Sequence, residues 1–308
     1  MPAYNAEKYI ESAIISVQNQ TFNNWELIVI DDGSDDSTAK IVKSKQERDV
    51  RICYKFQTNK KLPAARNAGL MLAKGDYIAF LDADDLWMPE KLEYQLEYFK
   101  NNHVDLIFTA GYCLNENTYT LIKYPTIEGS FSGHEMYKLQ LKFNYIPVLS
   151  VVFKRHWIKI IGYHDESLTD GCEDWDYWFR MAKAGACFVG IKEKLFHYRR
   201  HENSMSSNLS RMQLAQVDVF IRNFDKSYFD KREVRELLLE LIDPFVQTLL
   251  KSKNSKEAHS LHKRLKGKIP LLHYKINGAL LSYMGKYSFF PIRIVNKIDR
   301  FLNNRKII

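Results

Sequence analysis

Two short apolar runs, each broken off by a cluster of acids, constrain this chain more than any other feature. Leu27, Ile28, Val29 and Ile30 lead into Asp31-Asp32-Gly33-Ser34-Asp35, and residues 77–81 lead into Asp82-Ala83-Asp84-Asp85. A continuous apolar run of this length reads as a strand covered on both faces, as in the parallel sheets of α/β proteins. The segments between carry helical patterns. Ile10, Ala13, Ile14 and Val17 recur at helical spacing, residues 37–48 form a polar helix, 51–56 a short strand, and 63–74 a helix closed by Gly75. Asp85 can cap a further helix, with Pro89 in its first turn and Leu92, Leu96 and Phe99 on its inner face. The alternation predicts an α/β fold whose mostly parallel central sheet is flanked by helices.

In such a sheet, ligands bind beyond the carboxyl ends of the strands, so both acidic clusters face one crevice. The acids have two readings: turn and cap residues, or a site where a cation offsets their mutual repulsion. Two clusters at two strand ends favour the second, and oxygen ligands suit Mg²⁺ or Mn²⁺ bridging to substrate phosphates.

Further along, residues 104–114 and 119–124 read as a hairpin around Asn115-Glu116-Asn117, and 149–153 as a strand. Residues 173–184 form a strong helix with Trp175, Trp178, Phe179 and Ala182 along one side, and helical signals continue over 209–224 and 234–250. Met1-Pro2-Ala3-Tyr4-Asn5 reads as a loop leaving a strand, although no strand's worth of residues stands before it.

Six blocks, in order, resemble the motifs of family 2 glycosyltransferases. They are Pro2-Ala3-Tyr4-Asn5, residues 29–38 from Val29 to Thr38, Ala65-Arg66-Asn67-Ala68-Gly69, Phe80-Leu81-Asp82-Ala83-Asp84-Asp85, Glu173-Asp174-Trp175-Asp176, and residues 198–206, which follow a Tyr-Arg-x-His-x-x-Ser-x-Ser signature. The resemblance implies a GT-A fold and an inverting transfer from a nucleotide diphosphate sugar, with a leaning to uridine. Pro2, Tyr4 and Asp31 match the nucleotide-base site, and Arg66 the sugar and diphosphate region. Asp82 matches the residue near ribose and donor sugar, and Asp84, across Ala83 in the D-x-D motif, the metal ligand. Asp174 matches the general base, with Glu173 beside it, and His201 a residue near diphosphate and metal. Where the family has Asn-x-Gly this chain reads Asn59-Lys60-Lys61, so the Lys61 ammonium can meet a phosphate. The implied cofactor is Mn²⁺ or Mg²⁺. The implied acceptor is a hydroxyl of a glycan or lipid-linked molecule in bacterial surface polysaccharide synthesis. The family also has a first strand at the centre of its nucleotide-binding half, so a chain starting at Met1 is expected to be weakly stable.

The chemistry asks for these residue types. A leaving diphosphate gains charge that a divalent cation stabilises, and an inverting displacement needs one base for the acceptor hydroxyl. On Asp174, apolar neighbours raise the pKa and the helix N-terminus lowers it. Trp87, Trp175, Trp178 and His197 read as packing residues rather than ligand contacts.

The net charge of +8 divides unevenly: residues 251–308 hold 14 basic and 2 acidic residues, and residues 1–250 hold 31 and 35. The larger part has no basic stripe for tracking phosphates, which argues against a nucleic-acid partner. Residues 1–206 are therefore expected as the catalytic domain and 207–308 as a basic helical appendage. The segment 271–298 mixes Leu, Ile, Phe and Tyr with Lys and Arg, a composition suited to an anionic membrane surface. With four scattered cysteines and no run of about 18 apolar residues, the expected location is cytoplasmic, peripheral on the inner face of the plasma membrane. Two rival readings are a non-catalytic sugar-nucleotide-binding relative and another nucleotide-using transferase; the latter lacks a G-x-G-x-x-G or P-loop motif.

Overall fold

The computed structural model describes residues 1–229 apart from 102, 117, 119, 203 and 206–208. The helix expected over 234–250 and the basic segment 271–298 lie outside the described residues, as do Asn117, Asn203 and Ser206. The chain divides into two units, Met1–Tyr228 and Phe229–Ile308. The elements below all belong to the first unit.

The first half folds as the alternation predicts. Its elements are β1 (Pro2–Ala3), α1 (Ile10–Gln18), β2 (Leu27–Asp31), α2 (Thr38–Arg48), β3 (Ile52–Phe56), α3 (Leu62–Leu72) and β4 (Tyr77–Ala79). β1, β2 and β3 form a parallel three-stranded sheet in that order. The place of a first strand is thus held by two residues, Pro2 opposite Ile30 and Ala3 opposite Asp31. α3 stops at Leu72, before Gly75, because Glu26 Oε1 accepts from the Lys74 and Gly75 amides at 2.7 and 3.0 Å.

Next come β5 (Leu86–Trp87), α4 (Lys91–Asn101), β6 (Leu106–Asn115), β7 (Leu121–Lys123), β8 (Gly129–Phe131), α5 (Gly133–Gln140), β9 (Val152–Lys154), α6 (Trp157–Ile161), α7 (Glu173–Lys183), β10 (Phe188–Arg200) and α8 (Leu209–Asn223). The second sheet is mixed, in the order β4-β9-β6-β10-β5 with β7 and β8 paired alongside. Its longest pairing, β6 with β10, is parallel, and the others are antiparallel. The expected hairpin is the β6–β7 pair. The strand expected over 149–153 is split, because Pro147 leads a 3-10 turn at Val148–Ser150 before β9.

The helix that Asp85 was expected to cap begins later, at Lys91. Residues 86–87 pair antiparallel with Phe196 and His197 instead, and Asp85 accepts from the Arg199 amide at 2.8 Å. This pairing positions the site, since it sets the turn 82–85 beside the end of β10. Two register shifts in β10, between Ile191 and Lys194 and between Lys194 and His197, re-aim the strand before it delivers Arg199 and His201. The tryptophans pack as expected: Trp87, Trp175 and Trp178 are all buried. Among the described residues no helix is long and apolar enough to cross a membrane.

One core residue runs against the usual exclusion of charge from the interior. Lys91 is fully buried in contact with Gln95 Oε1 at 2.7 Å, Val151 O at 3.5 Å and the face of Trp87 at 4.3 Å, none of them charged. Burial pushes its pKa well below the ordinary lysine value. The unfolded chain then binds a proton that the folded chain does not, so stability falls as pH drops from about 10 towards the folded pKa. Lys91→Met is expected to stabilise the protein by about 1–3 kcal/mol at pH 7. Thermal denaturation as a function of pH checks this, with the gain shrinking as pH approaches about 10.

Candidate active site

The carboxyl ends of β1 and β2 form a laced pair of loops. Asn5 N donates to Ser34 Oγ at 3.0 Å, Asp35 N to Asn5 Oδ1 at 3.0 Å, Ala6 N to Thr38 Oγ1 at 2.8 Å and Glu7 N to Asp36 Oδ2 at 3.0 Å. Pro2 lies in β1 and Tyr4 just beyond it, 56% exposed. Asp31 is fully buried, and its two carboxylate oxygens accept from Ser34 N at 2.9 Å and Tyr54 Oη at 2.7 Å. It therefore holds the loop rather than presenting an oxygen to the cleft. Asp32 Oδ1 accepts from Gln57 Nε2 and Lys60 N at 2.7 and 2.8 Å, which ties residues 57–60 to the same edge.

Arg66, in α3, joins two of the acidic elements. Its Nη2 donates to both oxygens of Asp82, at 2.7 and 3.0 Å, and its Nη1 donates to Glu173 Oε1. Arg66 and Glu173 are buried, whereas the Asp82 side chain keeps 24% of its surface open. Ala83 packs into the core beneath the D-x-D turn. Arg66 Nε has no partner among the described residues.

Asp84 and His201 meet across the two strand ends, with Asp84 Oδ2 and His201 Nε2 3.0 Å apart. Arg199 fixes the turn from the same strand, donating Nε to Asp84 O at 2.7 Å. Burial, with Asp82 adding repulsion, raises the pKa of Asp84 against the opposing influence of His201. Asp85 is raised well above its ordinary value by burial and by Asp84 and Asp82. His197, by contrast, packs edge-on against Tyr112 at 6.0 Å, and burial lowers its pKa.

Asp84 and His201 suit a divalent cation in donor chemistry, offering one carboxylate oxygen and one imidazole nitrogen. Among the described residues no group of three or more His, Cys, Asp or Glu gathers to hold a metal ion. Mg²⁺ and Mn²⁺ held by so few side chains draw the rest of their shell from water and substrate phosphates, which fits a site of this kind.

Asp174 occupies the second position of α7. Its Oδ1 accepts from Trp175 N at 2.8 Å and its Oδ2 from Asn144 Nδ2 at 3.2 Å. The opposing influences on this carboxyl resolve upward: burial outweighs Arg66 and the two donors, and its pKa is raised.

Two contacting residues lie in no recognisable motif. Asn144 is one. Tyr9 is the other: its ring stacks on His201 at 4.8 Å with 28° between planes, and its hydroxyl donates to Glu116 Oε2 at 2.6 Å. Tyr9 meets Glu116 and His201 only because the fold sets the ends of β6 and β10 beside the start of α1, and no local pattern announces it.

Lys61 stands at φ 74° and ψ 167°, a region that is essentially reserved for glycine. Gly33 explains the crowding nearby, since a Cβ there would sit 2.9 Å from Asn59 N.

The sequence profile described as Glycosyl transferase family 2 matches residues 1–158. TuaG of Bacillus subtilis (strain 168), named as a putative teichuronic acid biosynthesis glycosyltransferase, is 32% identical over 232 residues, 75% of this chain and 88% of TuaG. WfgD of Escherichia coli is named as a UDP-Glc:alpha-D-GlcNAc-diphosphoundecaprenol beta-1,3-glucosyltransferase. It is 34% identical over 240 residues, 72% of this chain and 85% of WfgD. Among solved structures, S. aureus TarS 1-349 in complex with UDP-GlcNAc matches with a TM-score of 0.68 at 20% identity, covering 93% of this chain and 88% of that one. At such identity the likeness speaks to fold, and the fold is GT-A.

Because Lys61 carries a backbone penalty that glycine does not, Lys61→Gly is expected to stabilise the chain by about 1–2 kcal/mol, measured by urea denaturation. If the Lys61 ammonium also meets a donor phosphate, the same variant raises the KM for the sugar nucleotide.

Proposed function

The chain belongs to glycosyl transferase family 2, and from that premise we propose that it transfers a sugar, with inversion, from a UDP-sugar to a hydroxyl of a lipid-linked glycan in surface polysaccharide synthesis. The observation that carries this reading is the Arg66 bridge. It sets Asp82, on the donor side, and Glu173, the neighbour of Asp174, on two ends of one guanidinium. The donor and acceptor ends of a displacement reaction then share a rigid frame. The names of WfgD and TuaG support the class of donor and the surface-glycan setting.

The roles follow from the partners each group already has. Glu173 is buried and ion-paired, so it serves as the counter-charge that orients Arg66. Asp174 has the raised pKa and is the base. As the acceptor oxygen bonds to the anomeric carbon, its proton passes to Asp174, and the bond from that carbon to the diphosphate breaks with its electron pair leaving on oxygen. Asp84 and His201 would hold a divalent cation, which would supply charge stabilisation for the departing diphosphate. Arg66 reinforces the same end through its bonds to Asp82. Asp31 acts beneath the base by fixing Tyr54 and the turn at Ser34. Tyr4, exposed beside Pro2, offers a ring for the nucleobase.

Basic residues concentrated in 251–308 support peripheral attachment to an anionic leaflet, where a lipid-linked acceptor is presented. Sedimentation of the full chain with phosphatidylglycerol vesicles at low salt, released at high salt, is the expected result; indifference to such vesicles removes this part of the reading.

With UDP-glucose or UDP-GlcNAc and Mn²⁺, the chain is expected to hydrolyse or transfer the donor sugar, and Asp84→Ala to abolish the metal-dependent rate. Asp174→Asn is expected to lower kcat by about 10²–10⁴ while leaving UDP binding unchanged in a thermal-shift titration. Since the base must be ionised, kcat/KM falls as pH drops through the raised pKa of Asp174, above the ordinary aspartate range. A rate insensitive to Asp174→Asn would overturn the assignment.

A further inference from the structure

The loop over residues 141–147, between α5 and the 3-10 turn, matches none of the family blocks. Yet α7, the helix that carries Asp174, fastens it at three points. Just before it, at the last residue of α5, Trp175 Nε1 donates to Gln140 O at 2.9 Å, and near its end Trp178 Nε1 donates to Ile146 O at 3.1 Å. Between them Asn144 Nδ2 donates to Asp174 Oδ2 at 3.2 Å, and Ile146 N donates to Asn144 Oδ1 at 3.2 Å. Both indoles are buried, so these are dry bonds that hold the loop's position relative to the base.

The residues on either side of Asn144 are aromatic. Phe143 is 42% exposed, and its ring meets that of Tyr145 edge-on, with centroids 5.2 Å apart and 66° between planes. A single exposed apolar side chain is ordinary. This one differs in its placement: it sits on a loop pinned at both ends, next to the residue bonded to the base, where it contributes little to the core.

We propose that Phe143, backed by Tyr145, is the platform on which the acceptor's pyranose ring lies, so that the ring's reacting hydroxyl comes to Asp174. The proposal rests on the reading of Asp174 as the base. The chemistry is complementary on both sides. One face of a pyranose presents C–H groups and is apolar, and an aromatic ring covers it while the hydroxyls at the rim stay free for bonding. The donor is gripped by charge through Arg66, Asp82 and Asp84. A neutral acceptor sugar offers no such handle, so apolar contact and hydrogen bonds must position it. Asn144 joins the two tasks, since the residue whose amide steadies Asp174 lies between Phe143 and Tyr145 in the sequence.

The test is saturation-transfer NMR on the full chain with UDP present, using the methyl glycosides of glucose, galactose and N-acetylglucosamine as probes. At least one glycoside is expected to give ring-proton signals in the wild type. Its affinity is expected to fall about 5- to 10-fold in Phe143→Ala and to be kept in Phe143→Trp. No signal from any of the three glycosides, or undiminished binding to Phe143→Ala, overturns the proposal. Should Phe143→Ala lower the melting temperature, Phe143→Leu supplies the decision, because it keeps apolar bulk without a ring face; undiminished binding there also overturns it. UDP-sugar binding and hydrolysis by the wild type are read alongside. A wild type that binds glycosides but neither binds nor hydrolyses any UDP-sugar counts against the transferase reading and leaves the platform standing.

Discussion

A buried guanidinium holds the chemistry of this molecule in place. Arg66 lies near the ring of Phe80, 5.8 Å from its centroid, and its positive charge is matched by carboxylates 16 and 107 residues away in sequence. Stripping a buried charge of a partner costs about 3–5 kcal/mol, so α3, the turn after β4 and the start of α7 cannot relax independently. The two sheets differ in strand direction, yet the turn at Asp82 and the start of α7 share one anchor.

The residue after Arg66 extends the anchor. Asn67 exchanges two bonds with the backbone of His164, accepting from its amide at 2.8 Å and donating to its carbonyl at 3.0 Å, and donates to Glu166 at 2.9 Å. The His164 ring stacks on Tyr177 of α7 at 4.3 Å, with Nδ1 3.2 Å from Glu173 O. Burial, then Arg66 and Arg180, drive the imidazole pKa well below its ordinary value. His164 therefore stays neutral, and no second positive charge competes for Asp82 and Glu173 in the interior. Consecutive residues of one helical turn thus do separate work, Arg66 on the acids and Asn67 on the loop that leads to them.

What could be read in the sequence was local. The strand that ends at Asp31, the strand that runs towards Asp82, the helix at Glu173 and the signature around His201 are each written in a few adjacent residues. The pairing of β5 with β10 was not legible, because two residues of strand carry too little pattern to compete with the capping signal of Asp85 and Pro89. Tyr9 and Asn144 were invisible for a different reason. Their partners, His201 and Asp174, lie far away in sequence, and a lone Tyr or Asn has no spacing to betray it. Lys61 shows the opposite case: the missing glycine was visible, but only the backbone angles reveal that the chain keeps a glycine's conformation without the residue.

The adjacency of Glu173 and Asp174 is itself an explanation of how two acids can share a site. Consecutive positions on a helix point about 100° apart, so one carboxylate turns to Arg66 in the interior while the next turns to Asn144 at the cleft. Gly171 and Cys172, at φ 107° and 65°, bring the chain sharply into α7 and set that rotation at its first residue. A Cβ on Gly171 would stand 2.9 Å from Met212 Sδ, so the entry is also closely packed against α8. Were α7 rotated by one residue, Asp174 would take the place of Glu173 beside Arg66 and Trp175 the place of Asp174. The indole bonds of Trp175 and Trp178 oppose such a rotation, because each fits one carbonyl of the 140–146 segment and neither would survive it. The aromatic side of this helix, which periodicity marks only as core, is therefore what decides which of two neighbouring acids pairs with Arg66 and which with Asn144.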